Sequence, residues 1–413
     1  MSDNRTGNRP FHIMTKPIGP KCNLDCKYCF YLEKESLWER GERYKMSLET
    51  LETYIRSYIE AQPNEQVSFA WQGGEPTLMG IEFFRKVVEL QKTYANGKHI
   101  ENAFQTNGTL LDDEWGHFFR ENHFLVGLSI DGPQKMHDSY RINKRGQGTW
   151  DQVMRGLEIL KKHQVDWNSL TCVHRGNSHK PLDVYRFLKG IGSRHLQFIP
   201  IVERKPNATA KQLGLTHATP AELDRLLSDE EASPVTSWSV KPGDYGRFLT
   251  AIFDRWIRKD VGKVFIQINE VTLGKYIDGR PGICIFEETC GDALALEHDG
   301  SLYACDHYVY PTHRLGDLND KNLIDMVESS FQKDFGSAKR DKLPPQCIQC
   351  EVRSLCNGGC PKQRFLADRE GNPGLNYLCE GYYHFFTHTR PHMQRIAQML
   401  RYGYPATKIM EDF

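Results

Sequence analysis

The chain has 413 residues, 39% of them hydrophobic, with 21 phenylalanines and 18 tyrosines, enough for one large domain plus a smaller one around a sizeable core. Its 53 basic and 53 acidic side chains cancel, which argues against a nucleic-acid scaffold or a membrane-surface binder, since both carry a basic excess. No apolar run approaches the roughly 20 residues that span a bilayer. The opening MSDNRTGNRP lacks the apolar stretch of a secretory signal, so the sequence reads as cytoplasmic. Twelve cysteines in that reducing compartment point to thiolate metal ligands rather than disulfides.

In chain order, strands are predicted at Phe11–Thr15, Val67–Trp71, Asn102–Gln105, Phe124–Ile130, Ser169–Val173 and Leu196–Val202, each a short apolar run bounded by turn formers. Amphipathic helices are predicted between them over Ser47–Ala61, Ile81–Tyr94, Asp112–Asn122, Thr149–His163 and Pro181–Gly190, with Ser47 and Asp112 as N-caps. Six strands with intervening helices imply a parallel sheet, curled by right-handed crossovers into a full or partial barrel. Residues 205–243 break this alternation and read as an insertion or linker with one short helix. A helix is expected near Tyr245–Arg258. After Val264 the helical periodicity fades and cysteines become dense, until a last helix over about Tyr382–Arg401. The division expected is 1–240, 241–385 and a C-terminal helix and tail over 386–413.

Cys22, Cys26 and Cys29, spaced by three and then two residues, follow the first strand directly. In barrel-like sheets this is the face where active sites are built. Three thiolates hold three irons of a 4Fe–4S cube and leave the fourth iron to a non-protein ligand. An open coordination position separates a catalytic metal from a structural one. A zinc site would want a fourth Cys or His nearby, and none follows before His99. After the second strand come Gly73, Gly74, Glu75 and Pro76. By itself this run could be a tight turn; its glycines also let backbone approach closely, and Glu75 can accept from an ammonium group.

The triplet after the first strand, with the GGEP run after the second, resembles the radical S-adenosylmethionine (SAM) enzymes. The resemblance implies that the cofactor's amino and carboxyl groups chelate the open iron. One electron then splits the sulfonium into methionine and a 5′-deoxyadenosyl radical. It also implies cofactor contacts from Gly73, Gly74 and Glu75, from Ser129 and Arg141 to ribose and carboxylate, and from Tyr28 to the adenine. Ile201 or Val202, closing the sixth strand, is the expected apolar adenine contact, with Val202 taken as the candidate.

Eight further cysteines lie at 284, 290, 305, 347, 350, 356, 360 and 379, leaving only Cys172, inside a predicted strand and expected to be core. The spacing Cys347-x₂-Cys350-x₅-Cys356-x₃-Cys360 is a metal signature that suits zinc or iron–sulfur equally. With Cys379 it resembles the C-terminal SPASM domain of peptide-modifying radical enzymes, which favours iron–sulfur. That resemblance implies one auxiliary 4Fe–4S cluster on Cys284, Cys290, Cys305 and Cys360, and another on Cys347, Cys350, Cys356 and Cys379. Three clusters follow in all. Fully thiolate-ligated clusters have no open iron, which points to electron transfer.

Asp306 and His307 follow Cys305 immediately. A carboxylate beside a cluster ligand can take a proton from a substrate radical while the cluster takes an electron, the pairing that a two-electron oxidation requires. Asp306 could instead orient a ligand or shape a turn; His307 ranks second as the base. The runs Cys22–Cys29, Gln72–Pro76, Gln105–Gly108, Ser129–Pro133, Gln197–Pro200, Cys305–His307 and Cys347–Cys360 together resemble the anaerobic sulfatase-maturating enzymes. The fold this implies is α/β, a partial (β/α)6 barrel followed by a SPASM domain with two auxiliary clusters. The activity it implies is oxidation of an active-site cysteine or serine of an unfolded or nascent sulfatase to Cα-formylglycine. Asp306 would be the proton acceptor, and a flavodoxin or ferredoxin-type protein the electron donor. Two alternatives stand beside it. One is a SPASM enzyme that crosslinks or epimerises a ribosomal peptide, although only 21 residues precede Cys22, too few for an N-terminal recognition domain. The other is a zinc-stabilised binding protein with no turnover.

Overall fold

The computed structural model describes residues 6–39, 43–220, 235–279 and 282–413. Strands β1 (His12–Lys16), β2 (Gln66–Trp71), β3 (His99–Thr106), β4 (Leu125–Ser129), β5 (Trp167–Val173) and β6 (His195–Pro200) lie side by side in chain order, all parallel. Parallel neighbours need long crossovers, and helices α1 (Leu48–Ala61), α2 (Ile81–Tyr94), α3 (Asp113–Glu121), α4 (Trp150–Lys162) and α5 (Pro181–Gly190) supply them. Ser47 accepts from the Thr50 amide at 3.0 Å and Asp112 from the Trp115 amide at 3.0 Å, so both predicted caps satisfy a donor that the first turn leaves free. β1 and β6 pair with other strands and not with each other, which leaves the six-strand repeat a partial barrel.

The sheet does not stop at six strands. β7 (Phe265–Ile266) adds parallel to β6. On the opposite side, β8 (Ala293–Glu297) pairs parallel with β1, from His12↔Ala293 to Lys16↔Glu297. β9 (Ser301–Tyr303) and β10 (Arg314–Asp317) continue antiparallel, giving ten strands in the order β10-β9-β8-β1-β2-β3-β4-β5-β6-β7. The expected helices near 245 and 382 are α6 (Pro242–Lys259) and, after two longer helices and three short ones, α9 (Cys379–Arg401). Between them α7 (Gln267–Ile277) and α8 (Ser330–Asp341) depart from the faded periodicity read from sequence. The reason is physical: α7 packs Ile268, Val271, Leu273 and Tyr276 against the core only partly buried while it buries Asn269 and Thr272, and α8 buries Gln332, Gly336 and Lys339, so the apolar pattern of each is weak.

Two apolar cores support this sheet. One joins β1–β4 and α1–α3 to Leu294, Leu296, Leu302 and Ile324. The other joins β4–β6, α4 and α5 to α6, α9, Val352 and Leu355. The boundary expected near residue 240 therefore falls inside shared packing. α6 and α9 cross closely: a Cβ on Gly381 would sit 2.4 Å from the Pro242 carbonyl oxygen. The 205–243 segment contains the expected short helix, Ala208–Gln212, and is held where Glu33 accepts from the His217 amide at 2.8 Å; residues 221–234 lie outside those described. Among the described residues no helix is long and apolar enough to cross a membrane.

Candidate active site

Cys22, Cys26 and Cys29 sit in the loop leaving the C-terminal end of β1. Backbone hydrogen bonds pin this loop from two sides. The Asp25 and Lys27 amides donate to the carbonyls of Ile142 at 2.8 Å and Tyr140 at 3.1 Å. The Gly74 and Glu75 amides, just past β2, donate to the carbonyls of Gly19 at 2.8 Å and Lys21 at 2.9 Å. A Cβ on Gly74 would lie 1.8 Å from the Lys21 carbonyl oxygen, and Gly73 has φ +125°. Only glycine permits that approach. The two glycines therefore press the GGEP turn onto the cysteine loop.

Burial raises the Cys22 thiol to about 12, with Glu75 and Cys29 adding to the effect. Cys26 is raised by burial against the pull of Arg141, with Cys29 and Cys22 among its charged neighbours. Among the described residues no three His, Cys, Asp or Glu side chains gather tightly enough to hold a single metal ion. The three thiols act on one another electrostatically, the grouping that a cluster held by three cysteines with one iron left open requires.

The other expected cofactor residues line the neighbouring strand ends. Glu75 is fully buried; Oε1 accepts from the Thr77 hydroxyl at 2.7 Å and the Thr106 hydroxyl at 2.8 Å, and Oε2 from the Asn107 amide at 2.8 Å. Burial raises its pKa against these bonds. The carboxylate thus ties the GGEP turn to the end of β3. Ser129, closing β4, accepts from Gln105 Nε2 at 2.9 Å. Tyr28 and Arg141 converge on Asp131, which sequence reasoning missed. The Tyr28 hydroxyl donates to Asp131 Oδ2, and Arg141 Nε lies 3.0 Å from the same oxygen. Burial raises Asp131, but Arg141, His174 and His137 outweigh it and hold the carboxyl below its ordinary range. Cys172 joins this polar group, its amide donating to Asp131 Oδ1 at 2.9 Å, rather than either apolar core. Val202 packs in the second core, whereas Ile201, 8% exposed, stands outside it.

The eight C-terminal cysteines separate into two groups. Besides burial, the thiols acting on Cys290 are Cys360 and Cys284, and those acting on Cys305 are Cys360 and Cys284. Those acting on Cys356 are Cys379, Cys347 and Cys350. Cys360 thus keeps company with 284, 290 and 305 although it follows Cys356 in sequence.

Asp306 lies at the seam between the N-terminal triplet and the first of these groups. It is ion-paired with Lys16, the last residue of β1, and Lys16 Nζ also sits 3.5 Å from the Tyr31 ring centroid. Phe30, next to Cys29, meets the His307 ring edge-on at 5.5 Å, and His307 Nδ1 lies 3.4 Å from Cys360 Sγ. Burial pushes the Asp306 carboxyl up, but Lys16, His307 and Lys362 prevail and hold it below the usual carboxylate range. It is an ionised acceptor. Burial and then Lys362 lower His307 to about 4, so its imidazole is neutral. Lys16 was not singled out from sequence, where its buried partner is 290 residues away.

Residues 17–188 match the radical SAM superfamily, and residues 284–351 match the SPASM iron–sulfur cluster-binding domain. Over 403 residues the chain is 44% identical to the serine-type anaerobic sulfatase-maturating enzyme of Bacteroides thetaiotaomicron, covering 98% of this chain and 95% of that one. It is 33% identical to the cysteine-type enzyme of Clostridium perfringens, covering 95% and 100%. The solved structure of native anSMEcpe with bound AdoMet and Cp18Cys peptide superposes with a TM-score of 0.80 at 33% identity, covering 94% of this chain and 99% of that one. These relatives support the maturase reading over the peptide-crosslinking and zinc-scaffold alternatives. The two matched domains imply iron–sulfur clusters and S-adenosylmethionine. The chain belongs to the radical SAM superfamily and, within it, to the anaerobic sulfatase-maturating enzymes.

Proposed function

We propose that this chain is an oxidoreductase that converts a serine of an unfolded or nascent sulfatase to Cα-formylglycine. Serine is favoured over cysteine because the 44% relative is serine-type, while the cysteine-type relative stands at 33%. Cys22, Cys26 and Cys29 would hold a 4Fe–4S cluster that, with S-adenosylmethionine, would supply the radical for Cβ hydrogen abstraction, and the eight C-terminal cysteines would hold two 4Fe–4S clusters to serve as the electron acceptor. Asp306, ionised and fixed by Lys16, accepts the hydroxyl proton, leaving the aldehyde. Tyr28, Gly73, Gly74, Glu75, Ser129 and Arg141 bind and orient the cofactor, with Val202 or Ile201 against the adenine. Asp131 and Gln105 hold those groups in place.

The observation that carries this reading is Asp306 standing between the triplet loop and the Cys305–Cys360 group. A flavodoxin or ferredoxin-type donor in the cytoplasm completes it. Twelve free cysteines and oxygen-labile clusters require a reducing compartment. The proposed division is a barrel to residue 240, the cluster domain over 241–385 and the remaining helix and tail. The test is an anaerobic incubation with paired sulfatase peptides carrying Ser or Cys in the Ser/Cys-x-Pro/Ala-x-Arg pattern, read by mass spectrometry. Aldehyde from the serine peptide is expected; deoxyadenosine release with no aldehyde from either peptide rejects the reading.

A further inference from the structure

Two buried cations stand among the C-terminal cysteines without a part in the chemistry above. Lys339, on α8, is 1% exposed. Its ammonium donates to the carbonyls of Cys284 at 2.7 Å, Ile285 at 3.1 Å and Glu287, so it grips the segment leading from Cys284 toward Cys290. Arg364 is also buried; Nε donates to the Gly358 carbonyl at 3.0 Å and Nη2 to those of Asn357 at 2.8 Å and Gly359 at 3.3 Å. Its Nη1 donates to the Lys339 carbonyl at 2.5 Å, linking the turn between Cys356 and Cys360 to α8.

Carbonyl dipoles satisfy N–H groups but do not neutralise a charge, and a buried cation with no counter-charge is strongly unfavourable. Among the described residues neither cation forms an ion pair with a carboxylate. The groups that favour the charged form of Lys339 are the thiols of Cys290, Cys360 and Cys284. For Arg364 they are Cys347, Cys360, Cys290 and Cys356, which belong to both cysteine sets. Four thiolates around a 4Fe–4S core carry net negative charge, and reduction adds to it. A fixed cation beside the thiolates therefore stabilises the reduced form more than the oxidised form, and net charge is a principal determinant of cluster potential.

We propose that Lys339 and Arg364 form a cationic bridge between the two C-terminal cysteine sets, one that raises the reduction potential of the clusters held there so that they accept the substrate's electron. The proposal rests on the reading that these sets hold auxiliary 4Fe–4S clusters. It assigns the two cations an electrostatic role, distinct from holding the ligand loops in shape.

The test uses the full-length chain, anaerobically reconstituted, with Cys22, Cys26 and Cys29 replaced by alanine so that only the C-terminal clusters give a signal. Iron and sulfide are quantified, and midpoint potentials are read by redox titration with electron paramagnetic resonance. Lys339→Gln keeps N–H donors for the carbonyls and removes the charge; Lys339→Arg keeps the charge. The parent should hold about eight irons from two clusters. Lys339→Gln should shift the reduction equilibrium at least tenfold toward the oxidised form, about 59 mV for a one-electron couple. Lys339→Arg should stay within that margin. Arg364→Gln should move both clusters, because that residue borders both sets. If Lys339→Gln loses iron while Lys339→Arg retains it, the potential is read on Arg364→Gln instead, and a loaded Arg364→Gln with unchanged potentials overturns the proposal. Fully loaded variants with unchanged potentials overturn it. So does equal loss of iron in the Gln and Arg variants, which would leave only a packing role. A parent without iron and sulfide fails differently, since it removes the auxiliary-cluster reading itself.

Discussion

Asp306 can be separated from its structural surroundings only by changing Lys16 along with it. The lysine side chain is buried, 2% exposed, and the aspartate partly so, 21% exposed. Asp306→Asn strands the ammonium. Breaking a buried pair from one side costs about 3–5 kcal/mol, and the Tyr31 ring at 3.5 Å offsets about 1–2 kcal/mol of that. The expected net destabilisation is about 1–4 kcal/mol. Removing both charges in Lys16→Met/Asp306→Asn should return stability to within about 1 kcal/mol of native, because an apolar replacement of a buried pair is often close to neutral. Catalysis should not follow stability. A positioned base is worth about 10²–10⁴-fold, or about 3–5 kcal/mol of barrier at 1.36 kcal/mol per tenfold. Aldehyde formation should therefore fall at least about 10²-fold in the single and the double variant alike, while deoxyadenosine release persists. The assay is anaerobic turnover of a sulfatase peptide with both products quantified, alongside thermal unfolding of the same preparations. Recovery of aldehyde in the double variant would refute proton acceptance by Asp306 and assign the single variant's defect to the stranded lysine.

Three more perturbations bear on the site. Because its carboxyl is held below the ordinary range, Asp306 is ionised throughout neutral pH. Its folded pKa lies below the unfolded value of about 3.9, so its stabilisation is present above that value and is lost as pH falls through the depressed one. Aldehyde formation should be flat from this group across pH 6–8, and an acid limb at neutral pH that disappears in Asp306→Asn would contradict the assignment. Asp131→Asn removes the anion shared by Tyr28 and Arg141; loss of a charge-assisted bond of about 1.5–3 kcal/mol should weaken S-adenosylmethionine binding by about tenfold or more, measured by equilibrium dialysis on iron-loaded protein. Gly74→Ala places a Cβ 1.8 Å from the Lys21 carbonyl oxygen and must displace the cysteine loop. Iron should drop by about four of about twelve per chain, and full iron content would show that the loop yields without cost.

The parallel strands were legible because each is a short apolar run separated from the next by an amphipathic helix; α2 and α5 coincide with their predicted limits. The metal ligands were legible because thiols at such spacings have few other uses in a reducing compartment. What escaped was long-range or polar. Lys16 and Asp306 are 290 residues apart, and Tyr28 and Asp131 are 103 apart, so no local pattern announces either pair. β7, β9 and β10 are two to four residues long and carry no alternation to detect. Lys339 and Arg364 look like ordinary surface cations in sequence, and only folding shows them buried.

The five-residue pairing of β8 with β1 has a consequence for dissection of the chain. Cutting near residue 240 would leave β1 as a bare edge, its outward row of amides and carbonyls open to any passing strand. The N-terminal half made alone should therefore self-associate, even though it contains every strand of the (β/α)6 repeat. The C-terminal half, for its part, is a cover strip that caps that edge. Excising it to simplify the protein would trade a monomer problem for an aggregation problem, and a charged substitution on the exposed edge would be needed before such a fragment could be handled.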